Sequence, residues 1–170
     1  DVLAMSFLTF FNSDKPILFP DITYSFYDVW ADLFRIPYEC KALDENFCIR
    51  KEDYFGENGG IIFPNPNAPT GVELPLSDIE EILLHNRDVI VIVDEAYVDF
   101  GAKSALELIE KYDNSGSSDL LQIPFHGWNA YRLCVRQSTA DQISERCKIF
   151  LQFLHYGSYH SCNWCGSYPG

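Results

Sequence analysis

A carboxylate stands at the end of a long apolar run, where Val89-Ile90-Val91-Ile92-Val93 leads directly into Asp94. Five β-branched residues in a row make a strand that is apolar on both faces. A carboxylate at the tip of such a strand is costly to bury unless it is paired. Two roles are open to it. Asp94 either binds local backbone N–H groups and caps the next segment, or it is the counter-ion of a buried cation. A protonated pyridine nitrogen is such a cation, and an adjacent carboxylate raises its pKa, each unit being worth about 1.4 kcal/mol. A ring kept protonated in this way is an electron sink for a carbanion. Tyr97 follows three residues later. If a helical turn comes after the strand, the two side chains share a face, and the phenol either donates to a ring oxygen or simply packs. Asn67 lies in a turn bounded by Pro and Gly, where Asn is common for backbone reasons; its amide is also a donor for a phenolate oxygen. Tyr24 comes after a strand flanked by prolines, and it either stacks on a flat ring or starts a helix.

The elements that must position these groups alternate in type. Val2, Met5, Phe7, Leu8 and Phe11 predict a mostly buried helix. Pro16–Pro20, Ile36–Cys40, Gly60–Phe63 and Val89–Val93 read as short strands, and Tyr24–Phe34 has helical spacing through Tyr27, Trp30, Leu33 and Phe34. Ser77-Asp78-Ile79-Glu80 and Ser104-Ala105-Leu106-Glu107 read as capping boxes, opening helices to about Arg87 and Tyr112. Strands apolar on both faces, alternating with amphipathic helices, predict an α/β fold with a three-layer, mainly parallel sheet. Ligands bind such sheets at the carboxyl ends of the strands, where both the Asn65–Gly71 and the Asp94–Tyr97 clusters fall.

The 170 residues suffice for one domain, and 47% are hydrophobic. A net charge of -13 excludes a nucleic-acid backbone and an anionic membrane as partners. No apolar run reaches the roughly 20 residues that span a bilayer. Val2–Phe11 is apolar enough for a signal core but lacks basic residues before it and a cleavage site after it. Asp1 in place of an initiator Met points to a fragment, and the expected compartment is reducing and cytoplasmic. The composition breaks near Asn114. Residues 1–114 carry 22 of the 25 acidic residues, whereas residues 115–170 carry 3, together with four of the six cysteines. Cys162-Asn163-Trp164-Cys165, near His155 and His160, has zinc-like spacing, but a single C-x-x-C is a weak signal, and no metal site is assigned.

Pro64-Asn65-Pro66-Asn67-Ala68-Pro69-Thr70-Gly71, followed by Val91-Ile92-Val93-Asp94-Glu95-Ala96-Tyr97-Val98-Asp99-Phe100, resembles the P-N-x-P-T-G and V-x-D-E-A-Y-x-x-F motifs of aminotransferases. Phe19–Tyr27 resembles their P-x-x-x-Y-x-x-Y segment. The three motifs keep the family's order across residues 1–114, and the D-E-A-Y-x-x-F ending is similar to that of histidinol-phosphate aminotransferases. The resemblance implies part of the large domain of a fold-type-I transferase that depends on pyridoxal 5'-phosphate. It implies amino-group transfer between glutamate and histidinol phosphate in histidine biosynthesis, by a cytoplasmic homodimer acting on small molecules. Asp94 would pair with the pyridine nitrogen, Asn67 and Tyr97 would hold the phenolic oxygen, Tyr24 would stack on the ring, and Ala96 would pack on its other face. Ala68 stands where many relatives carry Asn. Aromatic and aspartate aminotransferases and threonine-phosphate decarboxylases share much of this pattern. A truncated α/β module without enzymatic activity is a further alternative.

The family's Schiff-base lysine, in a stretch like S-K-x-x-x-x-A-G-x-R-x-G, has no counterpart: the lysines after the motif are Lys103, Lys111 and Lys148, in no matching context. The resemblance therefore assigns no catalytic residue, and it leaves open whether this chain holds the cofactor. The genetic code offers an explanation. Read one nucleotide later, codons for Gln122–Cys134 permit K-S-R-S-M-A-G-M-R-I-G-Y, and those for Ser115–Leu121 permit L-V-V-Q-T-F-S. Residues 115–170 are therefore read as an out-of-frame tail. The gene is expected to spell the lysine motif in the neighbouring frame just after the Asn114 codon; codons unable to do so would end the idea.

Overall fold

The computed structural model describes residues 2–105, 107–108, 119–124 and 132–137, the last two ranges as backbone alone. A sheet of six strands runs in the order β2-β1-β3-β4-β6-β5. The strands are β1 Ile17–Pro20, β2 Tyr38–Lys41, β3 Gly60–Pro64, β4 Val91–Asp94, β5 Asp119–Pro124 and β6 Arg132–Gln137. Four of them, β2-β1-β3-β4, are parallel. β6 lies antiparallel to β4, with Asp94 opposite Leu133, and β5 lies antiparallel to β6. The sheet is thus mixed, with a parallel half that carries the motifs.

Alternation along the parallel strands builds two cores. Ile17, Phe19, Ile62 and Ile92 face one side, where α1 (Val2–Phe10) supplies Leu3 and Phe7, and α2 (Tyr27–Phe34) supplies Tyr27 and Ala31. Leu18, Ile61, Phe63, Val91 and Val93 face the other, covered by Ile79, Ile82 and Leu83 of α3 (Leu76–His85) and by Tyr54. These are the three expected layers, and both faces of each central strand are dry. Gly60 adopts φ +145°, and a Cβ there would come within 2.6 Å of the Phe11 ring, so the glycine lets α1 sit against the start of β3.

Several boundaries differ from the sequence reading. β2 begins at Tyr38 because α2 ends in a left-handed Arg35 (φ 58°), and the Ile36 N–H is used on Ala31 O. α2 begins at Tyr27, with Tyr24 in the preceding loop. The first capping box does not form. Pro75 precedes α3, which starts at Leu76 with no side-chain cap, and this places Ser77 already inside the first turn. At the start of the second expected helix, Ser104 donates to Glu95, at 2.8 Å and 3.0 Å to its two oxygens, and Glu95 takes the Ala105 N–H. The far end of that helix, toward Tyr112, lies outside the described residues.

The C-terminal end of α3 is fixed by Asn86, whose amide donates to Ile82 O and Tyr54 O while its carbonyl accepts from Asn58. Asn58 in turn accepts the Gly60 N–H, which ties this network to the start of β3. Ile62, fully buried in a central strand, is expected to be a keystone. Ile62→Ala should cost about 2–5 kcal/mol in urea unfolding.

Candidate functional site

The turn after β3 and the loop after β1 meet over the carboxyl ends of the strands. Asn67 joins them. Its carbonyl accepts from Thr23 Oγ1 at 3.0 Å, and its amide donates to Ile22 O at 2.9 Å and to Thr70 Oγ1 at 3.1 Å. Gly71, at φ 71°, closes the turn by donating its N–H to Asn67 O at 2.7 Å. The residues after β4 form the third wall, a turn and a short 3₁₀ segment, Val98–Phe100. Between these walls lies a cleft of about 730 Å³, bordered by Thr23, Tyr24, Asn67, Pro69, Tyr97 and Phe100 among others. That volume suits a small organic ligand.

Three of the five residues singled out in the sequence, Tyr24, Asn67 and Tyr97, therefore border one cavity. Asp94 and Ala96 do not line it. Asp94 closes β4, opposite Pro64 of β3, and is 3% exposed. Its Oδ2 accepts from the Tyr27 hydroxyl at 2.9 Å and its Oδ1 from the Ala96 N–H at 3.1 Å. The local backbone bond is the one the first reading expects, and it coexists with a long-range bond from a neutral phenol. Tyr97, 47% exposed, does not share the acid's buried side, because the chain turns after β4 instead of continuing as a helix. Tyr24 leans edge-to-face on Tyr27, with ring centroids 5.7 Å apart. Tyr27 closes the P-x-x-x-Y-x-x-Y segment and has helical spacing, but the sequence assigns it no role in the site; the fold brings its hydroxyl to an acid 67 residues away.

Electrostatics sets Asp94 apart. Burial pushes its pKa up from 3.8 to about 6, against the pull of the Tyr27 and Ala96 hydrogen bonds, and the neighbouring Glu95 adds to the rise. The described groups around it are a phenol, a backbone N–H and another acid; no cation is among them. A carboxylate has room for roughly four hydrogen bonds, and two are in place. The residue types are those that could meet a flat heteroaromatic ring with a protonated nitrogen: an acid short of positive charge at the strand tip, and a tyrosine, an amide and a second phenol bordering the cleft. Among the described residues no lysine borders the cleft, and Lys15, Lys41 and Lys51 are engaged with Glu57, with Glu39, and with Asp78 and Glu81.

The fold is an α/β domain with a cleft at the carboxyl ends of its parallel strands. The family model for class I and II aminotransferases matches residues 2–121, and the chain belongs to that family. Histidinol-phosphate aminotransferase from Lactococcus lactis subsp. cremoris (strain MG1363) is 56% identical over 114 residues, covering 67% of this chain and 32% of that protein. The enzyme of the same name from Pseudomonas putida (strain W619) is 58% identical over 114 residues, covering 67% and 33%. The crystal structure of the histidinol-phosphate aminotransferase from Clostridium acetobutylicum superposes with a TM-score of 0.58 at 25% identity, covering 65% of this chain and 34% of that one. The chain thus spans about a third of the length of the curated relatives it matches.

The raised pKa fixes a sign for pH dependence. The folded state binds the Asp94 proton more tightly than the unfolded chain, so this residue's contribution to stability falls as pH rises from about 3.8 to about 6. Two units correspond to roughly 3 kcal/mol. Asp94→Asn keeps an acceptor for Tyr27 and removes the charge. It is expected to be more stable than wild type at pH 7.5, by up to about 3 kcal/mol, with the gap closing below pH 4; chemical unfolding at the two pH values measures it.

Proposed function

We propose that residues 1–114 form part of the large domain of a pyridoxal-phosphate-dependent aminotransferase acting on histidinol phosphate, and that residues 115–170 are an out-of-frame tail replacing the segment that carries the covalent lysine. The observation that carries this reading is the cleft itself: Tyr24, Asn67 and Tyr97 border it, and the buried acid Asp94 sits at the adjoining strand tip. The 114-residue span of identity to histidinol-phosphate aminotransferases supports the substrate assignment. The intact enzyme would work as a homodimer in the cytoplasm.

When bound, pyridoxal phosphate supplies a conjugated, protonated ring that accepts the electrons of a carbanion. This chain's residues do the holding. Asp94 would hold a proton on the ring nitrogen, and that positive charge would in turn bring the carboxylate back toward its ordinary pKa. Tyr97 and Asn67 would hold the ring oxygen; Asn67 now donates both amide hydrogens, to Ile22 O and Thr70, so it would have to give one up. Tyr24 would stack on the ring, and Ala96, which does not border the cleft as it stands, would pack on the other face.

No described lysine stands ready to move the substrate proton, and a general base contributes typically 10²–10⁴-fold. Turnover by the 170-residue chain should be negligible, and restoring the frame after Asn114 should recover it along with visible cofactor absorbance. The ring grip is testable in the chain as it stands. Pyridoxamine 5'-phosphate, which needs no covalent lysine, should quench tyrosine and tryptophan fluorescence, and Asp94→Asn should weaken its binding about tenfold or more. Absence of binding, or equal affinity of the two proteins, would sink the reading.

A further inference from the structure

Tyr27 opens α2 with a fully buried side chain. Its ring is packed by Phe7 and Phe19, at centroid distances of 5.8 Å and 5.9 Å, and it supports Tyr24 edge-to-face at 5.7 Å. Of these four aromatic residues only Tyr24 borders the cleft. A phenylalanine would fill the same place in the core, whereas a buried hydroxyl is costly without a partner. The partner here is the acid of the site, Asp94 Oδ2 at 2.9 Å.

Resting on the reading given above, we propose that Tyr27 is a positioning residue of the ring site: its hydroxyl fixes the Asp94 carboxylate, its ring fixes Tyr24, and one side chain thereby sets the acid against the stacking platform. Both contacts are made by one residue with only two side-chain torsions, and Tyr24 is packed as well by Phe26 and Trp30, at 5.8 Å and 6.0 Å. The hydroxyl remains a donor at every pH of interest, because burial, then the negative charge of Asp94, hold the Tyr27 phenol well above its ordinary range. The groups acting on Asp94 are Tyr27 from α2, the Ala96 N–H from the following turn, and the neighbouring Glu95. Of these, Tyr27 alone joins the acid to the cleft wall formed by Tyr24.

The test uses the 170-residue chain without any ligand. In wild type, the Cζ resonance of Tyr27 should follow the same midpoint as the Asp94 carboxyl carbon in a pH titration by NMR. Tyr27→Phe should raise the Asp94 midpoint by about one unit or more, since a hydrogen bond to the ionised form has been removed, while the Tyr24 ring signals stay in place. Tyr27→Leu should displace both. Phe7→Leu, which loosens the same core without touching the acid, should lower Tm and leave the Asp94 midpoint unchanged. A Tyr27 resonance blind to the Asp94 titration, or an unmoved midpoint in Tyr27→Phe, overturns the proposal. Because no ligand is involved, that failure is distinct from failure of the ring-binding experiment.

Discussion

A carboxylate with no described cation beside it, buried at the tip of a central strand, is the constraint around which this half-sheet is arranged. Asp94 lies in a layer where its strand neighbours Val91, Ile92 and Val93 are all dry. The surrounding structure supplies two hydrogen bonds and no positive charge among the described residues. Such a group detracts from stability at neutral pH, since burial opposes its ionisation more than the two donors favour it. Groups that cost the fold yet are held in place by dedicated partners belong typically to binding sites.

The next residue in the chain sharpens the contrast. Glu95 is as buried as Asp94, at 1% exposure. Its two oxygens receive the Ser104 hydroxyl and the Ala105 N–H, so it anchors the segment after the site and serves the fold. Two consecutive acids thus divide the work. One is satisfied by the chain and turns the backbone away from the sheet; the other is left with unused acceptor capacity beside a cleft. Asn67 completes the arrangement on the opposite wall. It clasps the Ile22–Thr23 loop to the Thr70 turn, and so the cavity's shape is set by hydrogen bonds before any ligand enters.

Much of this was legible in the sequence for specific reasons. The β-branched run before Asp94 and the apolar run before Asn65 read as buried strands, and their carboxyl ends placed the two clusters on one edge of a sheet. The three-layer packing followed from strands apolar on both faces. What the sequence hid was long-range. Tyr27 sits at ordinary helical spacing, and nothing local marks it as the partner of an acid far along the chain. Ser104 has a local capping pattern, yet its hydroxyl also donates to Glu95, a partner the pattern does not reveal. At α3 a proline started the helix one residue before the motif. Asp94 and Tyr97 at a spacing of three suggested a shared face, which requires a helix that the turn after β4 does not provide.

The charge distribution connects the site to the composition break. Residues 1–114 carry 8 basic residues against 22 acidic ones, and the cleft they build is bordered by hydroxyls, an amide, aromatic rings and prolines. On the proposed reading the acid at the strand tip would partner a ring cation, whereas a phosphate group and a carboxylate substrate would need cationic donors, and the described residues bordering the cleft include no Lys or Arg. The stretch permitted by the neighbouring frame contains a lysine, then two arginines, within a dozen positions. It would bring both the covalent nitrogen and the anion-binding guanidinium to a site that already holds the acid. On the proposed reading, the break near Asn114 and the lack of a Lys or Arg among the described residues bordering the cleft have one origin: the groups that would meet the ring precede the break, and those that would meet the anions lie in the displaced frame.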